Sequence, residues 1–366
     1  MIKDIYIHIP FCKRKCPYCD FYSETSIYNF KEYVNTLIDE FNSYKNYLNR
    51  ENSTLYFGGG TPSLLPTKEI ERLFKHIGRS IDLTKSEITL ELNPGEIDRE
   101  KLLLYRDLGI NRLSVGVQSF DDRELKTLGR IHSGAKAVET LEMIKKYGFE
   151  NYNLDLIVGI PNQESRSLER NLKIVEELNP FHVSAYILTY YEGTRYRELL
   201  DLGHIKSMEE ERELNFYQRV ISSLKSIGIE RYEISNYSKK GYESKHNSNV
   251  WNYGDYLGLG ASAHSKLKNR RWSNISSTRE YIKDFKSSKT IELISESDIL
   301  NEKIMLSLRT VSGIKDKEIT SSLYDHKLGD LERFKRDKLI DFDRERVFLT
   351  DRGFDLYNSI VSRLFI

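Results

Sequence analysis

The sequence predicts an α/β protein in two parts: a partial (β/α)6 barrel followed by a smaller α+β module. Three observations carry this. Strand-like and helix-like stretches alternate six times between Ile2 and Leu188, the pattern that builds a parallel sheet through crossover connections. Every distinctive motif falls where a strand ends, the edge at which barrels and open parallel sheets place their sites. Toward the C-terminus the alternation gives way to helices and one hairpin.

The elements follow in order. Ile2–Ile9 alternates β-rich residues and reads as a strand leading into a loop that holds all the cysteines. Tyr28–Leu48 has helical spacing. Thr54–Phe57 is a strand ending in Gly58-Gly59-Gly60-Thr61-Pro62, and Lys68–Ile77 is helical. Glu87–Leu92 is a strand ending in Asn93-Pro94-Gly95, followed by helix Glu100–Leu108. Arg112–Val117 is a strand ending in Gln118-Ser119, followed by helix Gly134–Tyr147 with Gly148 as its stop. Tyr152–Val158 is a strand ending in Gly159-Ile160-Pro161, Ser165–Leu178 a helix and His182–Leu188 the sixth strand. A closed eight-unit barrel would need two more regular units, which the sequence does not show. In the C-terminal part, Ile299–Leu308, Asp316–Tyr324 and Leu328–Lys338 read as helices, Ile340–Leu349 as a hairpin, and Phe354–Phe365 as a final helix. Three helices and a hairpin resemble a winged-helix module. The expected organisation is a barrel over residues 1–240, a connecting segment over 241–290, and the winged-helix-like module over 291–366.

Composition excludes several classes. At 366 residues, with 39% hydrophobic and 30% charged residues, the chain can bury a core without disulfide staples. Lys and Arg number 56 against 55 Asp and Glu, for a net charge of +1. From Leu300 to Ile366 the counts are 13 and 12. Neither the whole chain nor the module has the basic footprint of a nucleic-acid binder. No apolar run approaches the ~20 residues of a membrane helix, and the N-terminus does not read as a secretory leader. The expected location is the cytoplasm, with at most peripheral membrane contact.

Cys12, Cys16 and Cys19 are the only cysteines, spaced C-x3-C-x2-C. An odd number in one loop is no disulfide framework. Structural zinc usually takes four ligands, often two C-x2-C knuckles; here only His8, in a strand, offers a fourth. Three neighbouring thiolates suit an iron–sulfur cluster that leaves one iron open. The spacing, with Tyr18 before the last cysteine, resembles the radical S-adenosylmethionine (SAM) superfamily. That resemblance implies a [4Fe–4S] cluster on Cys12, Cys16 and Cys19, with SAM chelated to the fourth iron and cleaved to methionine and a 5′-deoxyadenosyl radical.

The other motifs suit the same chemistry. The Gly58–Gly60 turn allows close backbone approach, and without a following Lys it is no phosphate loop. Alternation puts Glu91 opposite Leu90 and Leu92, so an inward carboxylate needs a partner. Gln118 can donate and accept, and Arg130 suits a carboxylate. Asp155 stands in an otherwise apolar strand. Tyr6-Ile-His-Ile-Pro-Phe-Cys12, Gly58–Pro62, Gly116-Val-Gln-Ser-Phe120, Leu128-Gly-Arg130 and Asp155-Leu-Ile-Val-Gly-Ile-Pro161 together resemble the oxygen-independent coproporphyrinogen III oxidase-like family. The resemblance implies SAM contacts at Tyr6, Gly59, Gly60, Thr61, Glu91, Gln118, Arg130 and Asp155.

Within that family the sequence leans toward haem chaperones. The oxidases carry a fourth cysteine two residues after the third, where this chain has Phe21, and a long arm before the cluster loop, where 11 residues stand before Cys12. The chaperones carry His-Asn-x-x-Tyr-Trp; here His246-Asn-Ser-Asn-Val-Trp251 has Val250 in the Tyr position. The resemblance implies haem as cargo, His246 as its iron ligand, Trp251 against the porphyrin, and haemoprotein acceptors such as respiratory ones. Porphyrinogen decarboxylation is the alternative, and a zinc-stabilised winged-helix binding protein a third reading. A turn at Gly258-Leu-Gly260 is expected near His264, itself read as a core histidine.

Overall fold

The computed structural model describes residues 1–25, 29–51 and 53–366. The expected helix start at Tyr28 lies outside the described residues. Six parallel strands form as the pattern requires: β1 (Asp4–Ile9), β2 (Thr54–Gly59), β3 (Glu87–Leu92), β4 (Arg112–Gln118), β5 (Tyr152–Val158) and β6 (His182–Ile187). They lie side by side in sequence order. The register runs Asp4 opposite Thr54, Thr54 opposite Glu87, Thr89 opposite Arg112 and Leu113 opposite Tyr152.

Two-residue periodicity sorts each strand. Ile5, Ile7 and Ile9 are fully buried, as are Leu55, Phe57, Ile88, Leu90, Leu113 and Val115, and they belong to one core with residues of the covering helices. The alternate positions, such as Tyr56, Glu91, Ser114 and Asp155, face the concave side. Helices between the strands start where the sequence supplies caps. Asp98, Asp121 and Ser133 accept from backbone N–H groups two or three residues on. Helix Ser165–Leu178 ends on Asn179 in the left-handed conformation.

Both edges of this sheet are extended by strands the periodicity does not announce. β7 (Glu230–Arg231) and β8 (Asn236–Ser238) add antiparallel beyond β6, and β9 (Leu257–Leu259) adds parallel beyond β1. The result is an open nine-stranded sheet, a partial barrel. These strands are two or three residues long, too short to show alternation. Leu257–Leu259 is therefore a strand and not a turn, and Gly258 is needed there because a Cβ would meet the His264 carbonyl oxygen at 2.0 Å. His264 is exposed, not core; it opens β10 (His264–Leu267), which pairs with β11 (Arg270–Asn274) and β12 (Lys289–Leu293) in a separate antiparallel sheet.

One buried carboxylate ties this segment to the barrel. Glu40, on helix Phe30–Tyr44, is fully buried and accepts from Gly260 N–H (2.9 Å), the Tyr281 hydroxyl (2.7 Å) and Lys289 Nζ (3.0 Å). A buried charge persists because each lone pair is answered.

The C-terminal module has its own core, including Ile304, Leu308, Leu323, Leu331, Val347 and Leu364. Its hairpin is β13 (Ile340–Phe342) and β14 (Val347–Leu349). Two expected helices are one, Lys317–Arg336; Gly329 sits in open space and costs only helix propensity. The expected last helix breaks at Leu356 into Asp351–Asp355 and Tyr357–Leu364. Arg309 joins module to barrel, pairing with buried Glu233 at 2.8 Å and lying over the Trp251 ring at 4.4 Å. Among the described residues no helix is long and apolar enough to cross a membrane.

Candidate cluster and cofactor site

The three cysteines, the glycine turn and the inward polar residues open onto one cavity of about 880 Å³. The loop after β1 is pinned by Cys12 N–H donating to Glu24 O (2.9 Å) and Glu24 N–H donating to Pro10 O (2.7 Å). Cys19 N–H closes a turn onto Cys16 O at 3.1 Å. Cys12 Sγ lies 3.6 Å from Thr61 Oγ1, and Cys16 Sγ 3.6 Å from Arg130 Nη1. Burial pushes the Cys12 thiol up and the Cys19 thiol to about 11, so loading iron displaces protons.

His8 is not available as a fourth ligand. Its Nε2 lies 2.9 Å from Tyr22 O and its Nδ1 3.1 Å from the Tyr6 hydroxyl, and burial pulls its pKa down to about 4. Among the described residues no group of three His, Cys, Asp or Glu side chains is placed to hold a single metal ion. Three soft thiols around one mouth fit a cluster.

The glycine turn is built by close approach. A Cβ on Gly60 would meet the Phe11 carbonyl oxygen at 2.8 Å, and one on Gly59 the His8 ring at 2.5 Å. Gly59 N–H donates to Glu91 Oε2 (3.2 Å) and Gly60 N–H to Ile9 O (2.9 Å). The tight-turn role is therefore real, and both N–H groups serve it.

Glu91 also accepts from the Tyr56 hydroxyl at 2.8 Å, and burial lifts its pKa to about 7. Asp155 accepts from Asn153 Nδ2 at 2.7 Å, and burial raises it too. Gln118 sits at φ 69°, where β4 slips register against β5. A positive φ on a non-glycine residue at a strand end is a strained, site-forming feature. Arg130 donates from Nη2 to Gly116 O (2.6 Å) and to Asn93 Oδ1. Gly59, Gly60, Thr61, Glu91, Gln118, Arg130 and Asp155 all line the cavity with the cysteines.

Two expected site residues lie elsewhere. Tyr6 stacks on Tyr56, ring centroids 6.0 Å apart, and does not line the cavity. His246 is 7% exposed, on helix Lys245–Trp251 at the opposite end of the strands. Its Nδ1 lies 2.7 Å from Thr54 Oγ1, its N–H donates to Glu87 Oε1 at 3.2 Å, and its ring packs on Tyr56 at 5.0 Å.

Three residues not singled out from the sequence contribute. Asn93 donates to Thr61 Oγ1 at 2.9 Å and accepts from Arg130, joining the ends of β2, β3 and β4. Tyr56 and Arg112 line the cavity. Alternation along Thr54-Leu-Tyr56 and Arg112-Leu-Ser114 was the available signal.

Comparison with known proteins gives the family. The radical SAM superfamily profile matches residues 6–175, and the HemN C-terminal domain profile matches 294–356. The heme chaperone HemW of Lactococcus lactis is 33% identical over 372 residues, covering 99% of this chain and 97% of that protein. HemW of Bacillus subtilis is 34% identical, covering 98% of each. This chain belongs to the HemW family of radical SAM proteins. HemW of Escherichia coli is 36% identical over 267 residues, covering 72% of this chain. The fold is also that of coproporphyrinogen III oxidase (HemN) from Escherichia coli, at a TM-score of 0.84 and 24% identity, covering 99% of this chain and 89% of that one. Membership of the radical SAM superfamily implies a [4Fe–4S] cluster and SAM. Cys12, Cys16 and Cys19 would hold such a cluster, which would supply the electron for SAM cleavage in this superfamily's chemistry. This chain thus shares the oxidase's fold, so fold alone does not separate the two activities.

Proposed function

We propose that this protein is a cytoplasmic haem chaperone that binds haem and passes it to haemoproteins, respiratory ones included, with peripheral membrane contact during transfer. Cys12, Cys16 and Cys19 hold the cluster. SAM lies along Gly59, Gly60, Thr61, Glu91, Gln118, Arg130 and Asp155, with Tyr6 supporting this wall from behind Tyr56. The observation that carries the reading is full-length similarity to heme chaperones, joined by the cavity's size and lining. A volume of about 880 Å³ lies within the range of cofactor sites. Phe21, 63% exposed, lines the mouth near the cysteines and offers an apolar face.

His246 is the proposed iron ligand. Reaching an iron requires it to leave Thr54, with helix Lys245–Trp251 moving off the strand starts. The test is haem titration of anaerobic, cluster-loaded protein, wild type beside His246→Ala, followed by absorbance. Stoichiometric binding in the wild type supports the chaperone. No binding, together with conversion of coproporphyrinogen III by the same preparation, overturns it in favour of the oxidase.

A further inference from the structure

The floor of the lumen holds a guanidinium that makes no ion pair among the described residues. Arg112 opens β4, and alternation with Ser114, Gly116 and Gln118 turns it inward. It is 2% exposed yet lines the cavity, and its Nε has no hydrogen-bond partner. Among the described residues it forms no ion pair. The other buried cation, Lys266, donates to Tyr253 O at 3.0 Å and pairs with Asp255 at 3.3 Å. An unpaired buried guanidinium is strongly unfavourable unless an anion comes to it.

The groups facing Arg112 do not supply that anion. Glu91 and Asp155 feel its charge, but Glu91 is engaged by Tyr56 and Gly59, and Asp155 by Asn153. Tyr56, Tyr232, His182 and His246 also feel it. Burial raises the two phenols and lowers the two imidazoles, leaving all four neutral. Thr89, the register partner of Arg112, carries a second buried polar group without a partner, its hydroxyl. The guanidinium fork, which lines the cavity, matches the two oxygens of a carboxylate. Higher in the same cavity, Phe21, Ile131, Tyr186, Ile187, Tyr191 and Leu214 keep a third or more of their surface exposed. The cavity is apolar at its mouth and cationic at its floor.

We propose that Arg112 is a carboxylate subsite that takes one acidic side arm of a tetrapyrrole whose ring lies against the apolar mouth. The proposal rests on the haem reading for its cargo class. It is separate from SAM, whose carboxylate falls to Arg130 at the strand ends.

The test compares tetrapyrroles with free and esterified acids. Cluster-loaded full-length protein is titrated with haem and with haem dimethyl ester, and with coproporphyrin III and its tetramethyl ester. Wild type, Arg112→Gln and Arg112→Lys are compared, with SAM binding and thermal melting measured alongside. The expected result is a preference of about tenfold or more for the free acids in wild type. That preference is lost in Arg112→Gln and partly kept in Arg112→Lys; it is read as the acid-to-ester ratio within each variant, so a change in SAM affinity transmitted through Glu91 or Asp155 does not alter it. Arg112→Lys retains the charge, so it reports even where Arg112→Gln does not fold. Equal binding of acid and ester by wild type, or a preference that survives in Arg112→Gln, overturns the subsite. Preference for free coproporphyrin without haem binding sinks the haem reading while the subsite stands. Binding of no tetrapyrrole overturns both.

Discussion

The two ends of the barrel strands use the same residue types for opposite purposes. At the C-terminal end, Cys12, Cys16, Thr61, Asn93 and Arg130 form a chain of contacts, yet the thiols still open onto the cavity. At the N-terminal end, His246, Thr54, Asp4 and Glu87 form a closed plug: Thr54 donates to Asp4 Oδ1 at 2.7 Å, meets His246 Nδ1, and leaves the ring buried. The first arrangement spends its polar groups on holding reactive side chains at an opening. The second spends them on sealing a floor. A motif is thus read more safely once it is known which strand end it occupies.

The largest effect expected from this contrast is at the open end. Replacing Cys12, Cys16 or Cys19 with Ser removes a soft ligand and leaves the fold's core untouched. Iron content and the broad cluster absorbance should fall to near zero, while the melting temperature of the unloaded protein stays within about 2 °C of wild type, because Ser is close to Cys in size and the half-buried thiols lie on the cavity wall outside the packed core. Full iron loading in any single variant would break the assignment of that cysteine.

At the closed end the expectation reverses. His246→Ala removes a buried ring from Tyr56 and a hydrogen bond from Thr54, a change worth about 2–4 kcal/mol. The melting temperature should fall by about 5 °C or more. A variant that melts like wild type would overturn the sealing role, while loss of stoichiometric haem in a variant that stays folded would support His246 as the cargo ligand that leaves the floor to bind.

The same contrast explains what was legible in the sequence. The six β/α units, the cysteine loop and the inward line of Glu91, Gln118 and Asp155 follow from local periodicity and spacing, which the chain carries in consecutive residues. The cavity residues Asn93 and Arg112 do not stand out, because their meaning lies in the strand beside them: Asn93 reads as turn chemistry, Arg112 as a strand start. His246 shows the converse. Its neighbours Thr54, Asp4 and Glu87 come from β2, β1 and β3, over 150 residues away, and no local pattern announces that a helix in the post-barrel segment closes the barrel floor. Strands of two or three residues such as Leu257–Leu259 were invisible for lack of length.

The smallest effect lies between the two ends, at Glu91. Burial lifts its carboxyl from the ordinary value of 4.5 to about 7 in the folded chain. A carboxyl raised in this way binds its proton more tightly folded than unfolded. Its contribution to stability is fully present below about pH 4.5 and is lost as pH rises through about 7, by at most ~3 kcal/mol over the whole window. Glu91→Gln keeps the shape but cannot ionise, so the protein without cluster or SAM should lose less stability between pH 5 and 7.5 than wild type does. Denaturant midpoints across that range would show it as two curves that diverge with rising pH, the variant above the wild type. Parallel curves would mean that Glu91 is already ionised in the empty lumen, with the Arg112 charge stabilising it more than burial opposes it.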